Sequence, residues 1–327
     1  MDKGGAIKNR NIKPESFPWL ANTADNVFEK NKTYPKVSVI VPSFNQGEYL
    51  EETLLSIIRQ EYPNLELIVI DGGSTDESVA IIKKYEDAIS YWVSEADRGQ
   101  SHAINKGLEK ATGEWVAWMN SDDCYMEGAL YYIYEQTNYT AYDFLFGNCY
   151  VGAELATAQE HRHPVEAKQS LKDILRFFYH VAHIIPSQSV FIKRDILKEV
   201  GFLNEDLHYC MDLDWYSRIF LATEKRLFYQ KTICFYRVNE FTKTSTEAKN
   251  KVPLEALKLA SLYSPHLKEK NKKELDQLIS YFYAILQYNS RPSGWAGLLR
   301  IAFRFRGIAL TDIKFRIILK RLLKGDN

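Results

Sequence analysis

Val37-Ser38-Val39-Ile40-Val41-Pro42 is a short apolar run closed by a proline, and it reads as a buried strand. Leu50, Leu54, Ile57 and Ile58 follow at helical spacing, so a helix buries that face. Residues 65–70 form a second buried run, which ends in Asp71-Gly72-Gly73-Ser74-Thr75-Asp76. That loop offers Ser74 or Asp76 as the cap of the next helix. Strand, helix, strand and helix at this spacing define βαβ units and a parallel sheet. Outward from this start the alternation continues. It predicts strands over 89–94, 114–119, 142–150, 189–192 and 227–235, and helices over 101–110, 126–136, 194–200 and 212–222. Residues 154–182 break the alternation and read as an insertion with one helix near 171–179. Residues 252–324 are helical in pattern almost throughout. The expected organisation is an N-terminal arm over 1–34, an α/β domain over 35–250 and a helical C-terminal region over 251–327.

The chain has 327 residues, 46% hydrophobic and 26% charged, which suits a globular protein and excludes a wholly disordered one. Lys+Arg and Asp+Glu are both 42, so no overall basic excess points to nucleic acid. Cys124, Cys149, Cys210 and Cys234 form no CxxC pair, so they are expected as buried thiols in a reducing compartment. The sequence opens on no apolar leader and holds no run of 18 apolar residues, so a cytoplasmic location is expected.

In open α/β sheets the ligand lies beyond the carboxyl ends of the strands. The residues there are Pro42-Ser43-Phe44-Asn45, Asp71-Gly72-Gly73-Ser74, Glu95-Ala96-Asp97-Arg98-Gly99-Gln100 and Asn120-Ser121-Asp122-Asp123. Three of the four loops carry carboxylates, and converging acids are costly without a cation or a donor-rich ligand. Asp122 and Asp123 are hard oxygen ligands suited to Mg²⁺ or Mn²⁺. On its own the Ser-Asp-Asp triplet reads equally as a turn or a helix cap. There is no G-x-G-x-x-G after the first strand and no G-x-x-x-x-G-K-[ST], which disfavours nicotinamide dehydrogenases and P-loop NTPases.

Five segments in order resemble the family-2 glycosyltransferases of the GT-A fold. They are residues 39–45, Asp71 to Asp76, Asp97-Arg98-Gly99-Gln100, Asn105-Lys106-Gly107 and Asn120 to Asp123, and the likeness spans about residues 36–245. The resemblance implies a mostly parallel sheet flanked by helices, an inverting transfer from a nucleotide-diphosphate sugar, and Mg²⁺ or Mn²⁺ as cofactor. A UDP-sugar is the favoured donor and a glycan or lipid-linked hydroxyl the acceptor. It further implies that Pro42, Ser43 and Phe44 border the donor's base, and that Asp71 accepts hydrogen bonds from it beside Gly73. Arg98 would pair with phosphate oxygens, while Gln100, Asn105 and Lys106 would help hold the donor. Asp123 would bind the metal, and Asp122 would lie near the ribose or the sugar. In Met211-Asp212-Leu213-Asp214-Trp215 the matching acid is Asp212, the base that would deprotonate the acceptor. Asp214 is then structural.

The chain departs from the family pattern twice. His102 stands where an aspartate is common, and Asn239 stands for the histidine of a late Arg-x-His motif, here Arg237-Val238-Asn239 with Thr242-Lys243-Thr244 beyond. His102 reads as a surface residue or a contact to the sugar. Residues 295–324 mix eight basic residues with Trp295, Phe303, Phe305 and Phe315 and a single acid, Asp312. This composition suits an anionic membrane surface at the cytoplasmic face, or equally a helical subdomain packed on protein. A rival reading of the whole chain is a catalytically silent sugar-nucleotide or glycan binding protein with the same fold. A nucleotidylyltransferase is disfavoured, because Ser43-Phe44-Asn45-Gln46-Gly47 lacks the glycine-rich loop and following arginine it would need.

Overall fold

A computed structural model describes residues 28–29, 31–135, 138–161, 170–178, 185–239, 251–290, 294–309, 312 and 315. The expectations for residues 1–27, for Thr242 to Thr244 and for most of the tail after 309 lie outside the described residues. The described residues fall into two compact units, the first within Met1–Lys168 and Ile184–Lys249, the second within Gln169–His183 and Asn250–Asn327.

The first unit runs β1 (Val37–Ser43), α1 (Gly47–Ile58), β2 (Leu65–Asp71), α2 (Ser78–Lys84), β3 (Tyr91–Ser94), α3 (Gln100–Lys110), β4 (Trp115–Trp118), β5 (Cys124–Tyr125), α4 (Ala129–Glu135), β6 (Phe144–Gly152) and β7 (Gln159–His161). The second unit inserts α5 (Leu171–Leu175). The first resumes with β8 (Val190–Lys193), α6 (Leu197–Val200), α7 (Met211–Ala222) and β9 (Arg226–Arg237). The sheet order is β3-β2-β1-β4-β8-β6-β9-β5, with β7 beside β6. β3, β2, β1 and β4 are parallel neighbours, as are β6 and β9, while β8, β5 and β7 run against their partners. The fold is the mostly parallel α/β sheet that the sequence pattern implies.

Every residue of β1 is buried, because helices cover both faces. Val37, Val39 and Val41 join Leu50, Leu54 and Ile57 of α1 in one core cluster. On the other face α3 lies so close to β1 that a Cβ at Gly107 would collide with the Ile40 side chain. This close approach is the physical reason for the glycine in Asn105-Lys106-Gly107. All four cysteines are buried and free.

Some boundaries differ from the periodicity. Cys124-Tyr125 pairs antiparallel with Phe235 and Cys234 of β9, and α4 starts only at Ala129 after Gly128 at φ 70. A two-residue strand carries no readable period, so the helical pattern is extended too far back. Asp76, not Ser74, serves the start of α2: its Oδ1 accepts from the Ser78 N–H at 2.9 Å and its Oδ2 from the Gly47 N–H at 2.8 Å.

In the second unit Ser170 and Asp173 form a reciprocal cap on α5. The unit continues with α8 (Lys251–Tyr263), α9 (Glu269–Ser290), α10 (Gly294–Arg304) and α11 (Arg306–Ala309). Tyr281, Ile285, Leu298, Ile301 and Phe305 share its core, and Lys172 pairs with Glu274 at 3.0 Å. No helix among the described residues is long and apolar enough to cross a membrane.

Candidate active site

The loops after β1, β2 and β3 meet. The Asn45 N–H donates to Ser74 Oγ at 2.8 Å, and Asn45 Oδ1 accepts from the Thr75 N–H at 2.9 Å, with Asn45 itself at φ 50. The Gly72 N–H donates to the Ser43 carbonyl at 2.8 Å. A Cβ at Gly72 would lie 2.5 Å from the Asp97 carboxylate and 3.3 Å from the Phe44 ring, so glycine lets these three loops close up. Gly73 holds φ 85, a conformation that side chains strain. Pro42 is buried, whereas Phe44 is 59% exposed at the mouth of the cluster. The Ser43 hydroxyl is buried and has no hydrogen-bond partner among the described residues. A buried hydroxyl without a partner is costly, and a polar ligand group would satisfy it.

Asp71 is fully buried and already engaged. Its oxygens accept from the Gly73 N–H at 3.1 Å, the Ser74 N–H at 2.9 Å, the Ser94 hydroxyl at 2.6 Å and the Ser74 hydroxyl. In this structure Asp71 therefore shapes the loop. Of its two oxygens, Oδ1 has the Ser74 hydroxyl as its partner, a donor that can rotate away.

A polar chain runs from α3 to the end of β4 and beyond. Gln100 Nε2 donates to Asn120 Oδ1 at 2.7 Å, and Asn120 Nδ2 donates to Asp123 Oδ2 at 2.9 Å. Gln188 Nε2 also donates to Asp123 Oδ2, and the Arg237 N–H donates to Oδ1 at 2.8 Å. Asp123 is 0% exposed. Burial, reinforced by the neighbouring Asp122 charge, pushes its carboxyl well above the usual range. Asp122 is half-buried and is raised too, by burial above all, against a 3.2 Å bond from Asn239 Nδ2. Behind this turn sits Arg237. Its Nε donates to the Asp122 carbonyl at 2.9 Å, and its Nη2 pairs with the buried Glu52 at 2.7 Å.

Two adjacent carboxyl groups whose charged forms are disfavoured by burial fit a divalent cation, which would relieve both. Among the described residues no group of three or more His, Cys, Asp or Glu is placed to hold a metal. Asp122 and Asp123 therefore need amide, water or ligand oxygens to complete a shell. Asp122 is the more open of the two. To hold a cation, Asp123 would have to exchange one of its amide donors, Asn120 or Gln188.

Arg98 and Asn105 both have protein partners in this structure. Arg98 pairs with Glu205 at 2.6 Å rather than with Asp97, whose Oδ1 accepts from the Gly99 N–H at 2.7 Å. Asn105 is buried and brackets Leu203, donating to its carbonyl and accepting from its N–H, both at 3.0 Å. Lys106 pairs with Glu95 at 2.8 Å, and His102 Nδ1 accepts from the Arg98 N–H at 3.2 Å.

Asp212 and Asp214 differ in what they touch. Asp214 is buried and takes a two-pronged bond from Arg218, Nε at 3.1 Å and Nη2 at 2.8 Å. Arg218 in turn donates to the Val200 and Phe202 carbonyls, so the pair fastens α7 to the end of α6. Asp212 is half-buried in the first turn of α7, and its Oδ1 accepts from the Leu213 N–H at 2.7 Å. One turn on, Trp215 and Tyr216 pack on Trp118 at the end of β4, with ring centroids 5.5 and 6.4 Å away. Positions three and four apart share a helix face, so Asp212 rises on the side nearest the β4 terminus.

Residues 38–201 match the family described as Glycosyl transferase family 2. The chain belongs to that family. It is 28% identical over 284 residues to a GalNAc(5)-diNAcBac-PP-undecaprenol beta-1,3-glucosyltransferase of Campylobacter jejuni, covering 84% of this chain and 90% of the relative. It is 30% identical over 220 residues to the glycosyltransferase GlyG of Streptococcus pneumoniae, covering 62% and 70%. The crystal structure of S. aureus TarS 1–349 in complex with UDP-GlcNAc has the same fold, with a TM-score of 0.60 at 20% identity over 89% of this chain and 88% of that one. This family-2 glycosyltransferase thus has a relative named for glucosyl transfer to an undecaprenol-linked glycan. Gln188 and Glu52, which reach Asp123 and Arg237, gave no sequence signal of their own.

Proposed function

We propose that this glycosyltransferase inverts configuration while moving a sugar from a UDP-sugar to the hydroxyl of a glycan or lipid-linked acceptor. The observation that carries the reading is the convergence of the strand-end loops on the unpartnered Ser43 hydroxyl, with Phe44 exposed beside it and Asp122-Asp123 closing β4. Phe44 and Pro42 offer faces to a nucleobase, and Ser43 and the Gly73 backbone offer polar contacts. Turning the Ser74 hydroxyl would free Asp71 Oδ1 for an imide N–H. Gln100 steadies Asn120, and Asn105 holds the loop that leads toward α7. Asp122 and Asp123 are the residues that would hold Mg²⁺ or Mn²⁺. Such an ion neutralises charge developing on the departing diphosphate.

Asp212 is the general base of this reading. It takes the proton of the acceptor hydroxyl as that oxygen attacks the anomeric carbon from the face opposite the diphosphate. The bond from the anomeric carbon to the diphosphate oxygen breaks, and the nucleoside diphosphate leaves with that electron pair. A lipid-linked acceptor would place the enzyme at the inner face of a cytoplasmic membrane. On α10, Leu299 and Phe303 are exposed one turn apart, and Phe303 is 85% exposed. Arg300, Arg304 and Arg306 are exposed with them and have no carboxylate partner among the described residues. This face suits anionic lipid.

The test is a panel of nucleotide sugars with Mg²⁺ or Mn²⁺, read by nucleoside diphosphate release, with the anomeric configuration of the product read by NMR. Release of UDP and an inverted product support the reading. Nucleotide binding with no release under any condition would favour a silent binding protein.

A further inference from the structure

One carboxylate joins two residues that the family resemblance implies for the donor. Glu205 Oε2 accepts from Arg98 Nη2 at 2.6 Å and from Nε at 3.2 Å. Glu205 Oε1 accepts from Asn105 Nδ2 at 3.1 Å. Asn105 also grips the Leu203 backbone in both directions, so residues 203–205 are tied to α3 at three points. From there the chain runs directly into α7, whose first turn carries Asp212. At its other end, Arg98 follows Asp97, the acid that lies against Gly72 in the strand-end cluster.

The contacts differ in strength. Asn105 is buried, so its bonds to the Leu203 backbone are shielded. The Arg98 side chain is 69% exposed, and ion pairs this open contribute little. A diphosphate offers a guanidinium the same two-pronged geometry with more charge. An exposed carboxylate held only this weakly is readily displaced by such a group.

We propose that Glu205 is a positioning residue that occupies Arg98 until the diphosphate of the donor replaces it, so that donor binding loosens the loop leading to Asp212. This rests on the reading of the strand-end loops as a nucleotide-sugar site. The Asn105 bracket keeps the loop attached throughout, so the exchange changes the freedom of the loop without detaching it.

The proposal predicts a gain of affinity where a purely structural role predicts none. Glu205→Gln keeps an acceptor for Asn105 but no longer holds Arg98 by charge. UDP binding in the presence of Mg²⁺, measured by calorimetry on the full chain, should tighten by roughly two- to fivefold. Glu205→Ala should tighten UDP binding similarly while lowering kcat for transfer, because Asn105 loses an acceptor as well. In the Arg98→Ala background, Glu205→Gln should give no gain. A melting curve for each variant confirms folding. Arg98→Ala weakening UDP binding while Glu205→Gln leaves it unchanged or weaker would overturn the proposal and leave the donor site standing. If Arg98→Ala has no effect either, Arg98 does not meet the diphosphate and the proposal falls. Wild-type protein that binds no UDP would overturn the donor-site reading itself.

Discussion

Removing the guanidinium of Arg237 should damage this protein more than removing any single acid of the site. Arg237 is 4% exposed and Glu52 6%. Its Nη2 pairs with Glu52 at 2.7 Å, its Nε holds the Asp122 carbonyl at 2.9 Å, and its charge lies 4.9 Å from the Tyr49 ring centroid. Arg237→Met keeps most of the volume and the backbone N–H that binds Asp123, but leaves the Glu52 carboxylate buried without its cation. Breaking a buried pair by deleting one partner costs about 3–5 kcal/mol. For a unit of this size each kcal/mol lowers Tm by about 2–4 °C, so a fall of roughly 6–20 °C is expected. The assay is thermal unfolding of wild type, Arg237→Met, Glu52→Gln and the double variant. The double variant should lose less than the sum of the singles, because the stranded charge is gone. An Arg237→Met protein that melts within about 2 °C of wild type would refute the buried-pair argument.

Asp212→Asn should lose transfer by about 10²–10⁴-fold with UDP affinity nearly unchanged, since it removes a base and keeps the shape. Asp214→Asn should instead lower Tm, because it weakens the Arg218 anchor between α6 and α7; a Tm as high as wild type would contradict that role. Glu66 sets an acid limit. Burial alone would raise it, but bonds from Lys36, Ser38 and Thr112 hold it at about 2, below its ordinary 4.5. The native state then takes up this proton less readily than the unfolded chain. The stabilisation is present above pH 4.5 and is lost as pH falls through 2. The stability gap between wild type and Glu66→Gln should therefore shrink over that window, and a pH-independent gap would argue against it. Replacing Leu299 and Phe303 by Ser should reduce sedimentation with anionic liposomes at low salt while leaving UDP release intact, and unchanged sedimentation would remove α10 from the membrane contact.

In the parallel half of the sheet β1, β2 and β4 were readable because they are buried and so appear as apolar runs between turn residues. Cys124-Tyr125 was not, since two residues show no period, and its pairing with β9 spans more than a hundred residues of chain. The site divides in the same way. Pro42, Phe44, Gly73 and the Asp122-Asp123 turn lie where strands end, which is visible in order along the chain. Asn105 and Arg98 were visible as motif residues, but the protein groups they hold were not. Their contacts, Leu203 and Glu205, lie 98 and 107 positions away, and nothing local signals them. Gln188 is a single amide in an irregular segment, and only the fold brings it to Asp123, 65 residues distant. Asp71, expected to face the donor's base, also orders its own loop, whose donors meet both its oxygens.

In the proposed reaction a sugar leaves a nucleotide at the end of β4. The most direct test is UDP release from UDP-sugars by the full chain, with Mg²⁺ or Mn²⁺ and after chelation, run beside Asp123→Ala. The wild type should release UDP in a metal-dependent way that chelation abolishes and that Asp123→Ala lacks. Release at the wild-type rate by Asp123→Ala, or release untouched by chelation, would contradict it.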